Sequence, residues 1–85
     1  MSEKQIQHEI LLVMFRRGRP MTIAEIVEAT GRAETTVRNN LHVLLHAGRR
    51  QDEPYVEQVS GSVPQRWALT DSGRDPDRWR SRRRL

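Results

Sequence analysis

A chain of 85 residues with 35% apolar content, no cysteine and a formal net charge of +4 is expected to form one small domain with an economical core. The lack of cysteine excludes disulfides and thiolate metal sites and points to a reducing compartment. No run of about 18 apolar residues is present and the start Ser2-Glu3-Lys4-Gln5 lacks a signal-peptide pattern, so no membrane span or export is expected and the cytoplasm is the expected location.

The first helix is predicted over residues 2–17. Ser2 can cap it with Gln5 as box partner, Gly18 ends it and Pro20 prevents resumption. Ile6, Ile10, Val13 and Met14 share one stripe at about 100° per residue, while Leu11, Leu12 and Phe15 fall on the far side. A surface helix needs only one apolar stripe, so the second face must be covered by strands later in the chain, by the C-terminal segment or by another subunit.

A second helix is expected at about 22–30. Thr22 and Glu25 form a capping box, Ile23, Ile26 and Val27 give the apolar stripe, and Gly31 is the stop. A third is expected at about 34–47, with Gly48 as its stop. Val37, Leu41, Leu44 and Leu45 face the core, and Glu34, Thr35, Arg38, Asn39 and His42 lie on the other side. Two helical patterns broken by a Gly, from Met21 to Ala47, read as a helix-turn-helix, whose second helix keeps one face free for a DNA groove.

Residues 49–53 form a polar connector. Tyr55–Val59 and Gln65–Leu69 read as strands around Ser60, Gly61 and Ser62, with Val56, Trp67 and Leu69 toward the core. Pro64 suits an edge position or a strand start. Asp75-Pro76-Asp77 can cap a short helix that holds Trp79, which is expected to pack on the second face of the first helix. Residues 74–85 carry six Arg against two Asp, which is the whole net charge of +4. The expected division is therefore a domain over 1–73 and an arginine-rich, partly disordered tail over 74–85.

This order of elements resembles the winged helix-turn-helix of bacterial and archaeal regulators and is most similar to the MarR, PadR and ArsR-like groups. The resemblance is carried by Met21-Thr-Ile-Ala-Glu-Ile26, Thr35-Thr-Val37, Leu41, Leu44, Ala47-Gly48 and Trp67-Ala-Leu-Thr-Asp-Ser-Gly-Arg74, and covers about residues 5–74. It implies a mainly α fold with three helices and a small β-hairpin. There are departures. Ala33 stands where a small polar cap usually precedes the recognition helix, a loss of about 1 kcal/mol. The wing tip Ser60-Gly-Ser-Val63 carries no charge.

By position, the resemblance implies base contacts in the major groove from Glu34, Thr35, Arg38, Asn39 and His42. Phosphate contacts are expected from Arg32, Thr36, Arg49, Arg50 and Arg66, and wing contacts from Ser60, Gly61, Ser62 and Gln65. Arg16 and Arg17 have a structural use instead, at a helix C-terminus. The spare face at Leu11, Leu12 and Phe15 points to a homodimer.

His42 and His46 have metal-compatible spacing, but no third ligand or zinc-protease pattern accompanies them, and no nucleophile elbow or phosphate loop is present. No metal, cofactor, small-molecule ligand or enzymatic activity is expected. The expected function is sequence-specific binding of double-stranded DNA by a small transcriptional repressor that acts by operator occupancy. The alternatives are a winged-helix protein-interaction module, or an RNA or non-specific nucleic-acid binder working through the Arg-rich tail.

Overall fold

The computed structural model describes residues 3–46 and 54–79. The elements in order are α1 (Glu3–Arg17), β1 (Met21–Thr22), α2 (Ile23–Thr30), α3 (Glu34–His46), β2 (Val56–Gln58), β3 (Arg66–Leu69) and α4 (Pro76–Trp79). The helix ends have local causes. Gly18 takes a left-handed φ of 72° and donates to the Met14 carbonyl at 3.0 Å, closing α1. Thr22 caps α2 in a full box: its hydroxyl accepts from the Glu25 N–H at 3.1 Å, and its own N–H donates to Glu25 Oε1 at 2.9 Å. Gly31, at φ 74°, ends α2 as expected.

The three longer helices and the sheet share one core. Ile10, Leu11 and Met14 of α1 meet Met21, Ile26 of α2, Val37, Leu41 and Leu44 of α3, and Val56, Trp67 and Leu69 of the strands. The sheet has three antiparallel strands in the order β1-β3-β2, with Met21 opposite Trp67 and Val56 opposite Leu69. The expected hairpin is β2 and β3. β1 is an addition: two residues at the start of the capping box, whose buried Met21 pairs with the far edge of β3. A strand so short has no readable alternation.

The Leu69-to-Arg74 stretch is structural. The Thr70 hydroxyl donates to the Pro54 carbonyl, and its N–H donates to the Tyr55 carbonyl at 3.1 Å. The same hydroxyl accepts from the Gly73 N–H at 3.2 Å. Tyr55 in turn donates its N–H to the Leu44 carbonyl at 3.1 Å, so the root of the wing is tied to the last turn of α3. Gly73 is required there, because a Cβ would run into the Tyr55 carbonyl oxygen. The next residues dock as expected. Asp75 accepts from the Asp77 N–H at 3.2 Å, and Trp79 donates its indole N–H to the Gly73 carbonyl at 2.7 Å. The Trp79 ring packs edge-on against His8 at 5.4 Å and Phe15 at 6.4 Å. The packed body thus continues through Trp79, and the C-terminal segment covers part of the second face of α1.

Candidate nucleic-acid interface

Helix α3 is divided lengthwise. Val37, Leu41 and Leu44 are buried, while Glu34, Thr35, Arg38, Asn39 and His42 are all exposed. The helix starts without a side-chain cap at Ala33, whose carbonyl accepts from Val37 N–H at 3.0 Å. The turn before it is held from the α2 side instead. The Thr30 hydroxyl donates to the Ile26 carbonyl at 2.8 Å and accepts from the Arg32 N–H at 3.2 Å. Glu34 occupies the first turn, where the helix dipole favours a negative charge.

Two contacts fix side chains on this exposed side. Arg38 donates through Nη2 to Glu34 Oε2 one turn back, so the fixed charges of the five side chains cancel. His42 lies edge-on to the buried Trp67 ring at 5.5 Å, which joins the exposed side of α3 to the middle strand of the sheet. A further polar residue of α3, Asn40, is absent from the sequence-based expectations. It is only 5% exposed, donates to the Thr36 carbonyl at 2.8 Å and accepts from Gln7 Nε2 of α1 at 3.0 Å. Its place between the apolar positions 37, 41 and 44 is the signal that could have found it.

The expected phosphate contacts divide. Arg32 is already engaged within the fold: its Nε and Nη2 donate to the two carboxylate oxygens of Glu9 at 3.0 and 2.8 Å, and its side chain is 22% exposed. The guanidinium fork bridges to α1, where a carboxylate meets it in bidentate fashion. Thr36 is half-buried and Arg66 exposed. Arg49 and Arg50 lie outside the described residues, as do Ala47, Gly48 and the expected cap Ser2.

At the β1–α2 corner, Arg19 Nη1 lies 4.0 Å from Glu25 Oε2. The Glu25 carboxyl is held below the usual carboxylate range, first by the hydrogen bond from the Thr22 N–H and then by the charges of Arg19, Arg17 and Arg66. Those three arginines come from α1, the loop after it and β3. Arg17 stands with Arg16 in the last turn of α1, where the sequence places both against the helix dipole.

At the wing, Gly61 turns the chain at φ 75°. Ser62 Oγ donates to the Pro64 carbonyl at 2.8 Å and accepts from Arg66 Nη1 at 3.2 Å. The Gln65 amide donates to the Val59 and Arg66 carbonyls at 3.1 and 2.9 Å. The tip residue Val63 is 92% exposed. Of the expected dimer face, Leu11 is corrected: it is 2% exposed and belongs to the intramolecular core, since α2, α3 and β3 all pack on α1. Leu12 is half-buried and Phe15 42% exposed.

The helix pair, the sheet behind it and the polar exposed side of α3 define a winged helix-turn-helix DNA-binding domain. The family model of the IclR helix-turn-helix domain matches residues 9–59, more than half of the chain. The chain belongs to that family, a DNA-binding domain of transcription regulators and another branch of the winged helix-turn-helix. No curated protein and no solved structure matches it. Among the described residues, no helix is long and apolar enough to cross a membrane.

Proposed function

We propose that the chain recognises a specific double-stranded DNA sequence by laying α3 in the major groove, and that it represses transcription by occupying its operator. The observation that carries this reading is the division of α3, with five hydrogen-bonding side chains exposed opposite three buried aliphatic ones. Arg38 is suited to guanine O6 and N7, Asn39 to adenine N6 and N7, and Thr35 to a thymine methyl or a phosphate. The charge-balanced side of α3 supplies discrimination. Affinity comes from phosphate contacts by Arg17, Arg19 and Arg66 at the β1–α2 corner, joined by Arg49, Arg50 and the C-terminal arginines. A homodimer, paired through Leu12 and Phe15 of α1, doubles the contacts and selects a two-fold symmetric site.

Selection of bound sequences from a random duplex pool, followed by competition between the selected duplex and a scrambled one, tests the reading. Enrichment of a defined motif and preference for it by about 1000-fold or more are expected of a specific binder. Equal binding to both duplexes would reject specific recognition. Binding that does not weaken with salt would favour a protein-docking surface instead.

A further inference from the structure

We propose that Glu34 is a specificity-positioning residue that acts through Arg38, keeping that guanidinium for base reading and withholding it from general phosphate binding. The inference rests on the reading of α3 as the base-contacting helix. The two side chains pair across one helical turn while both stay open to solvent, Arg38 at 46% and Glu34 at 62%. Glu four residues before the basic partner is the favoured orientation for such a pair.

The pairing has two chemical consequences. A guanidinium has five N–H donors in one plane, so a single Nη2 contact to Glu34 leaves the parallel donors that guanine O6 and N7 require. The carboxylate also cancels the charge that a phosphate would otherwise attract. A free arginine gains affinity for any duplex by releasing counterions, whereas a neutralised one gains mainly where a base edge fits its geometry. In register, the Glu34 carboxylate can accept from the N4 amino group of a cytosine. Glu34 and Arg38 therefore act as one unit that selects a G·C-containing step.

The test uses the full chain as wild type, Glu34→Gln, Arg38→Ala and the double variant. Each is titrated with the selected duplex and with a scrambled duplex over a salt series. Both side chains are exposed, and thermal melts should show all four proteins folded. Glu34→Gln keeps the shape and removes the charge. It should bind scrambled DNA several-fold more tightly, steepen the log–log salt slope by about one unit, and reduce the preference for the selected duplex about tenfold or more. In the Arg38→Ala background, Glu34→Gln should lose its effect on scrambled DNA. An equal gain with Arg38 removed means that Glu34 acts by bulk charge alone, and overturns the proposal. So does an unchanged preference in Glu34→Gln. A wild type that does not distinguish the two duplexes rejects the underlying reading, and does so before any variant is compared.

Discussion

Arg32 grips Glu9 across 23 residues of sequence, with Nε on one carboxylate oxygen at 3.0 Å and Nη2 on the other at 2.8 Å. This fastens the turn ahead of α3 to the middle of α1. Gln7 and Asn40 form a second polar link between α1 and α3 at 3.0 Å. Apolar packing alone tolerates small rotations of a helix, whereas paired donors and acceptors at fixed points do not. The pose of α3 is thus set by its links to α1.

The Glu9–Arg32 pair should make the fold acid-sensitive. The hydrogen bond from Arg32 holds the Glu9 carboxyl below its ordinary range, despite an opposing effect of desolvation. A depressed folded-state value means that this stabilisation is complete above the unfolded carboxylate pKa and is lost as pH falls through the folded one. Glu9→Gln should lower the melting temperature modestly at neutral pH, and flatten its decline below about pH 4.5. The capping carboxylate Glu25, depressed by the Thr22 N–H, should account for part of the decline that remains. Melts from about pH 3 to 7 decide the matter. Parallel acid branches for wild type and variant would remove the pair from the stability of the fold.

Gly73→Ala should be among the most damaging single changes. The added methyl meets a backbone carbonyl oxygen, that of Tyr55, which is fixed by the Thr70 N–H at 3.1 Å and cannot swing aside as a side chain could. A loss of about 3 kcal/mol or more is expected, with the wing root and the Trp79 dock both disturbed. Gly61→Ala, at an open turn with nothing near its Cβ, should lose only about 1 kcal/mol. Comparable unfolding midpoints for the two variants would contradict the steric argument.

The parts legible in the sequence are those with local causes. Thr22 and Glu25 announce the box, Gly18 and Gly31 the helix stops, and Val37, Leu41 and Leu44 the buried side of α3. What escaped depends on long-range placement. Leu11 lies off the stripe that periodicity picks out, yet is buried because α1 is packed on several sides. Arg32 looks like any surface arginine until Glu9 is found opposite it. Arg66, far along the chain from Arg19, adds its charge to the carboxylate that Arg19 meets at 4.0 Å. The two-residue β1 is defined by its partner Trp67 rather than by its own pattern.

Substitution on the exposed side of α3 should separate reading from holding. Arg38→Ala and Asn39→Ala should each relax base preference at one position, with a loss of about 1–3 kcal/mol on the selected duplex and little on a scrambled one. Both residues are exposed, so the melting temperature should be almost unchanged. Equal losses on both duplexes would reassign them to phosphate contacts, and full retention of affinity would place the groove contact elsewhere.

The C-terminal arginines call for a cut in the right place. Removing residues 74–85 also removes Trp79, whose ring lies against His8 and Phe15, so destabilisation would obscure any effect on binding. Removing residues 80–85 takes away four arginines and leaves α4 whole. That truncation should weaken binding on every duplex alike and flatten the salt slope by up to about 0.9 for each phosphate no longer neutralised. Specificity should survive. Unchanged affinity at all salt concentrations would show that these arginines do not touch DNA.

The state of association turns on the outer stripe of α1. His8, Leu12 and Phe15 follow one another at helical spacing, and Trp79 lies against the first and last of them. The chain's own C-terminal segment therefore covers part of this face, but Phe15 keeps 42% of its surface exposed. A second copy joined through Leu12 and Phe15 would cover the remainder and set two recognition helices about one helical turn of DNA apart. Phe15→Glu is the discriminating change, because it places a charge where solvent already reaches and should spare the monomer fold. Sedimentation at micromolar concentration should find a wild-type dimer and a folded monomeric variant. The variant should also bind a single half-site as well as it binds the whole palindrome, while the wild type prefers the palindrome by a wide margin. A wild type that stays monomeric, with or without DNA, would leave this face to the chain's own cover, Trp79 among the described residues, and remove the dimer from the mechanism.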